Sequence, residues 1–289
     1  MNLVDALILG IVQGLTEFIP VSSTAHLVFA LRWLGIYHDD PLKQTATMAV
    51  IQMGTLVAAI VYFGRDIRGI TTAFIRENAD ILKRQRSLQW DKFSSEARLG
   101  WLLIIGSIPI GAAGILFKKQ IEGVFTKNLM VIASMMIVIA IALAIAERIG
   151  SQTRSINSVS LKDALIVGFA QALALIPGAS RSGSTIMGGL FSGLNRESAA
   201  RLSFLLMIPA VAASGILEMR EALKVLSMGD LSSLVLGTIA AGISGYLAIW
   251  FLLSYLRNRT TVIFIVYRVV VGALIIFLIK SGWMAASVN

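Results

Sequence analysis

Residues 5–13 read Asp5-Ala-Leu-Ile-Leu-Gly-Ile-Val-Gln13, and residues 163–171 read Asp163-Ala-Leu-Ile-Val-Gly-Phe-Ala-Gln171. With a one-residue slip, Ile19-Pro20 then meets Ile176-Pro177, and Ser23 meets Ser180. Shared Asp, Gln and Ile-Pro at matching spacing argue for an internal repeat rather than coincidence among apolar segments. Each copy opens an apolar but broken region, 3–34 and 161–195, in which a proline precedes small hydroxyl residues, Pro20 to Thr24 and Pro177 to Thr185. Non-helical backbone at membrane depth survives only where protein or a watery cavity satisfies it. Each region is therefore expected to be a re-entrant helix–loop–helix hairpin.

Uninterrupted apolar spans follow each hairpin, at about 45–64, 100–117 and 128–147 and again at about 202–219, 232–256 and 262–280. Each is long enough to cross a hydrocarbon core of roughly 30 Å. The composition agrees: of 289 residues, 56% are hydrophobic and 14% charged, against roughly 25% charged in an ordinary soluble domain. The expected fold is an all-α integral membrane protein, a single membrane domain over 1–289, with repeat units 1–150 and 158–282. Each unit holds one hairpin and three transmembrane helices. An odd number of crossings separates the copies, so the repeat is expected to be inverted, with its functional site near the midplane where the two breaks face each other. The first apolar stretch lacks the basic n-region of a secretory signal and is expected to stay in the mature chain.

Cysteine is absent, which excludes disulfide scaffolds, thiol nucleophiles and Cys-ligated metals. The net charge of +9 does not call for nucleic acid, because the basic residues crowd into short loops where they act as topology signals. Loop 65–100 holds eight (Arg65, Arg68, Arg76, Lys83, Arg84, Arg86, Lys92, Arg98), and with loops 148–162, 195–201 and 257–261 it accounts for fifteen of the 25 Lys and Arg. Those loops are expected in the cytoplasm. Loops 35–44, 118–127 and 219–231 hold six, with Lys118 and Lys119 fitting poorly.

Ionisable groups within apolar segments are costly and need a reason. Gln13 and Glu17 are four apart and share a helix face, which makes them a partial shell for a hard divalent cation. The plainer alternative is hydrogen bonding to the broken backbone. His26 shares its short segment with Glu17, Ser22 and Ser23, whereas His38 reads as a solvated loop residue. The second break, Pro177-Gly-Ala-Ser-Arg-Ser-Gly-Ser-Thr185, is suited to an anion. Gly178 and Gly183 permit close backbone approach. Ser180, Ser182, Ser184 and Thr185 supply hydroxyls, the following helix start adds amides and a dipole, and Arg181 offers a fork for phosphate oxygens. Pairing of Arg181 with Glu17 alone is the plainer alternative. Arg32 and Arg268 read as snorkelling or bundle-pairing residues, and Asp5 and Asp163 as helix caps.

At these residues the sequence resembles the undecaprenyl-diphosphate phosphatase family, the integral-membrane type linked with bacitracin resistance. Two motifs carry the resemblance, Gln13-Gly-Leu-Thr-Glu17-Phe-Ile-Pro-Val-Ser-Ser-Thr-Ala-His26 and Pro177-Gly-Ala-Ser-Arg-Ser-Gly-Ser-Thr185, and it extends to Phe-Leu-Leu-Met-Ile-Pro at 204–209 and Tyr-Arg-Val-Val-Val-Gly at 267–272. Gln13 is the permitted variant of an acidic position, leaving one carboxylate in that motif. The resemblance implies hydrolysis of a C55 polyprenyl diphosphate to the monophosphate, recycling the carrier lipid of cell-wall synthesis at the outer face of the bacterial inner membrane. It also implies a divalent cation, Mg²⁺ or Ca²⁺. The partners expected are the polyprenyl diphosphate and membrane lipids, with no nucleic acid; a homo-oligomer is left open.

The residues suit that chemistry, since phosphoryl transfer mainly needs positioning and charge neutralisation. Expected catalytic residues are Glu17, Ser23, His26 and Arg181; expected phosphate ligands are Ser22, Gly178, Ser180, Arg181, Ser182 and Thr185; expected metal ligands are Gln13 and Glu17. The nucleophile is open between Ser23 activated by His26, which is preferred, His26 itself, and water with His26 or Glu17 as base. The competing class is a polyprenyl-phosphate flippase or anion-coupled transporter using the same inverted-repeat site.

Overall fold

The computed structural model describes residues 1–37, 40–83, 89–117 and 128–286. His38, Arg84, Arg86, Lys118, Lys119 and Lys127 lie outside the described residues, and with them the readings made at those positions.

Eleven α-helices run through the described residues. The first hairpin is α1 (Leu3–Phe18) and α2 (Ser23–Trp33), and the second is α7 (Leu161–Ala172) and α8 (Arg181–Phe191). Among the described residues, six helices are long and apolar enough to cross a membrane: α3 (Pro41–Tyr62), α5 (Ser95–Leu116), α6 (Leu129–Ile149), α9 (Arg196–Val225), α10 (Met228–Leu256) and α11 (Val262–Lys280). All six spans expected from sequence are present. Several run a turn or two longer, because caps just outside the apolar run start them early. Asn195 takes the amide of Ser198 ahead of α9, and Ser227 and Asp230 form a capping box on α10. The basic stretch 65–100, which on sequence has room for a surface helix, holds one: α4 (Gly64–Leu82) fills half of it, charged on one face and burying only Ile70.

The helices of the two hairpins are short. At 1.5 Å per residue, α2, α7 and α8 reach only about 16–18 Å and cannot cross the core. The two ends of each helix pair are fastened together, at Asp230 in the first and at Arg154 in the second. The first is held by Asp230, which takes the Met1 ammonium at 3.3 Å and the Tyr37 hydroxyl. The second is held by Arg154, which pairs with Asp163 at 2.5 Å and donates to the Ser192 carbonyl at 2.7 Å. The basic loops gather at the Arg154 end through Arg196–Glu147 (2.5 Å), Arg201–Asp66 (2.8 Å) and Arg257–Glu197 (3.0 Å).

Close helix crossings recur at matching places. A Cβ on Gly10 of α1 would overlap the Gly237 carbonyl of α10, and one on Gly168 of α7 would overlap the Gly106 carbonyl of α5. Gly10 and Gly168 occupy the same place in the two sequence copies. Only a glycine lets these backbones approach so closely, a packing mode on which membrane helices rely. The main core lies beneath the first break, where Phe18 meets Phe204 edge-on at 5.2 Å. Such aromatic pairs add roughly 0.5–1.5 kcal/mol beyond burial.

Candidate active site

Both breaks fall at a serine in left-handed backbone. Ser22 has φ 78° and Ser180 φ 67°. Each caps the following helix, accepting from the amide of Ala25 (3.5 Å) or Gly183 (3.2 Å). A side chain in that region costs about 1–3 kcal/mol and persists only where its surroundings impose it. Ser22 and Ser180 are separated by 158 residues, the offset of Asp5 from Asp163 and Gln13 from Gln171. The alignment of Ser23 with Ser180 is thereby corrected: the slip is confined to the prolines. The cap selects Ser22, since the residue before a helix must reach the amide three positions on. Ser23 and Arg181 consequently share one position, the first of their helices.

Glu17 sits between the breaks. The Gln13 amide donates to Glu17 Oε2 at 3.0 Å, the Ser23 hydroxyl donates to the same oxygen at 2.7 Å, and Arg181 Nη1 lies 3.7 Å from Oε1. Gln13 and Glu17 are 2% and 7% exposed. The pairing of Arg181 with Glu17 is real yet leaves the guanidinium under-used: Arg181 Nε and Nη1 are buried with no hydrogen-bond acceptor among the described residues. Ser182 donates to the Ile19 carbonyl at 3.3 Å and lies 3.2 Å from Ser180 Oγ, so it joins the second break to the first. Gly178 has φ 88°, and a Cβ there would overlap the Ile132 carbonyl of α6; this glycine is required both by conformation and by contact.

Two expected arrangements are placed differently. Ser23 is turned to Glu17, while both His26 nitrogens have other partners: Nδ1 meets the Ser22 carbonyl at 2.7 Å and Nε2 the Tyr267 hydroxyl at 2.6 Å. A carbonyl only accepts, so Nδ1 carries the proton, and in the neutral ring Nε2 then accepts from the Tyr267 hydroxyl. The two rings also stack, 13° apart in plane. Thr185, expected at the phosphate, is fully buried. It donates to the Arg181 carbonyl at 2.7 Å and lies 2.5 Å from the Ser203 hydroxyl, fastening α8 to α9. Sequence reading missed Tyr267 and misjudged Arg268. Arg268 neither snorkels nor forms an ion pair among the described residues: it is 0% exposed and donates to backbone carbonyls at both breaks. The available signal was a Tyr-Arg pair in the middle of an otherwise apolar span.

A multi-pass membrane protein is thus defined, with a carboxylate, a hydroxyl and an under-used guanidinium meeting at two helix starts, a constellation able to neutralise and attack a phosphate group. The chain belongs to the family described as "Bacitracin resistance protein BacA", which it matches over residues 6–274. It is similar to proteins named undecaprenyl-diphosphatase from Syntrophobacter fumaroxidans (48% identity, covering 96% of this chain and 98% of the relative), Chlorobaculum tepidum (46%, 98% and 99%) and Myxococcus xanthus (44%, 98% and 91%).

Proposed function

We propose that the chain hydrolyses undecaprenyl diphosphate to undecaprenyl phosphate and inorganic phosphate, the activity for which its relatives are named. The observation that carries this reading is the unspent Arg181 guanidinium beside the Ser23–Glu17 hydrogen bond. Arg181, Ser180, Ser182 and the amides opening α8 grip the β-phosphate. Ser23 attacks its phosphorus as Glu17 Oε2 takes the hydroxyl proton; the bond to the bridging oxygen breaks and undecaprenyl phosphate leaves. Water then releases phosphate from the phosphoserine. The Ser23–Glu17 bond favours this route over activation by His26, and direct attack by water with Glu17 or His26 as base is the alternative.

The donors near Glu17 fit a hard cation, because Gln13 Oε1 is buried and without a hydrogen-bond donor beside the carboxylate. Gln13 and Glu17 would hold Mg²⁺ or Ca²⁺, which when bound supplies neutralising charge to the diphosphate.

In the same reading, the hairpins are re-entrant and the two units form an inverted repeat. The separate fastening of the two hairpins, at Asp230 and at Arg154, and the matching Gly10 and Gly168 crossings support this. The membrane is taken to be the bacterial inner membrane, as the family resemblance implies; setting the basic end in the cytoplasm then has the first hairpin and the site open from outside. The test is phosphate release by purified protein in detergent from a polyprenyl diphosphate, with Mg²⁺ or Ca²⁺ and then with chelator. Release that stops with chelator supports hydrolysis and the cation together. No release from folded protein across several chain lengths overturns the hydrolase and favours a flippase or transporter.

A further inference from the structure

Helix α11 passes behind both breaks and sets Arg268 between them. Its Nη1 donates to the Pro20 carbonyl at 3.3 Å. Its Nη2 donates to Gly178 at 2.9 Å, Ala179 at 3.1 Å and Met135 at 3.4 Å, and Nε to Met136 at 3.1 Å. Pro20 belongs to the first break, Gly178 and Ala179 to the second, and Met135 and Met136 to α6. One guanidinium therefore ties the two breaks to each other and both to a spanning helix. Nη1 also lies 3.2 Å from where a Cβ on Gly183 would stand, against the first turn of α8.

Packing alone does not explain this residue. A buried cation needs compensation, and every acceptor named here is a neutral carbonyl. Carbonyls at a helix break have lost their helical donors, however, and at membrane depth they must find others. A planar fork with five N–H donors can serve acceptors on three segments at once, whereas an ammonium is a single point.

We infer that Arg268 is a positioning residue for the hydrolytic site: it fixes the separation of the two breaks, and so the placement of Ser23 against Arg181, without touching substrate. The inference rests on the hydrolytic reading above. Misplacement of reacting groups by about 1 Å can cost roughly a hundredfold in rate. Loss of the fork should thus lower kcat far more than it raises KM, because the prenyl chain and Arg181 still bind.

The test compares Arg268→Lys, which keeps the charge and loses the fork, with Arg268→Met, which loses both. Phosphate release is measured alongside thermal unfolding in detergent. Because the chain has no cysteine, Leu15→Cys and Ile176→Cys, both on exposed residues flanking the breaks, carry spin labels at those two sites alone and report the separation without reference to activity. The expected result is a loss of kcat of about 30-fold or more in folded Arg268→Lys, with KM within threefold and a broadened or shifted distance distribution; Arg268→Met falls at least as far. Full activity and an unchanged distance in Arg268→Lys would overturn the inference, as would full activity in Arg268→Lys with loss only in Arg268→Met, which would assign charge rather than positioning. If the parent chain releases phosphate and Arg268→Lys matches it, this inference alone fails. If the parent releases none, the hydrolytic reading fails and this inference with it.

Discussion

The two hairpins share a frame and differ in content. Both begin at a capped aspartate-bearing turn, cross a neighbouring helix at a glycine, carry a glutamine at the same place, and break at a left-handed serine that caps the next helix. Beyond the frame they diverge. At the first position after the break, one copy has Ser23 and the other Arg181. Four residues after the glutamine, one has Glu17 and the other Leu175. In the proposed hydrolysis the first hairpin supplies acceptor and nucleophile, and the second supplies cation and amides. Two similar helix starts do not by themselves make a site; on the proposed function, opposite chemistry at equivalent positions suits them to an anion.

The largest expected effect comes from erasing that difference. Glu17→Leu gives the first hairpin the residue of the second, removing both the acceptor for Ser23 and the carboxylate facing Arg181; phosphate release should fall below detection in protein that still elutes as a folded species. Arg181→Ala removes the opposing charge and should lower kcat by about 10²–10³-fold, the cost of deleting one transition-state donor. Near-normal activity in folded Arg181→Ala would remove the phosphate grip from the second hairpin. Ser23→Ala sharpens the nucleophile assignment. A loss of roughly 10²–10⁴-fold together with disappearance of a trapped phosphoserine is expected, whereas a loss under tenfold would transfer the attack to water.

The shared frame predicts equal effects instead. Gly10→Ala and Gly168→Ala should each destabilise by about 1–3 kcal/mol through overpacking at the crossing, read as thermal unfolding in detergent. Gly114→Ala, where a Cβ meets nothing within 4 Å, should stay within about 1 kcal/mol of the parent. A large difference between Gly10 and Gly168 would break the equivalence of the hairpins. The smallest effect is expected at the paired glutamines. Gln171 is fully buried and neither end of its amide has a partner among the described residues, so Gln171→Leu should leave activity within threefold and stability unchanged or higher. Gln13→Leu should instead raise the Mg²⁺ or Ca²⁺ concentration needed for half-maximal phosphate release.

Much of this was legible in the sequence for identifiable reasons. The six spans were read from apolar length, since a bilayer sets that length directly. Glu17 and Arg181 were singled out because ionisable residues in apolar segments must have partners, and the structure makes them partners of each other at 3.7 Å. The basic stretch 65–100 is open to a surface helix on sequence, and α4 is one, but its charged face fixes no span and its bounds come only from the structure.

Local pattern by itself determined which segments cross, which break, and which residues there are polar enough to need a reason. Tertiary structure alone decided which partner each polar group takes. Ser23 turns to Glu17 rather than His26, His26 is claimed by Tyr267 from a helix 241 residues away, and Arg268 is drawn to carbonyls at both breaks. The physical reason is that hydropathy acts residue by residue along the chain, whereas a hydrogen bond is fixed by distance and direction between atoms that only packing brings together.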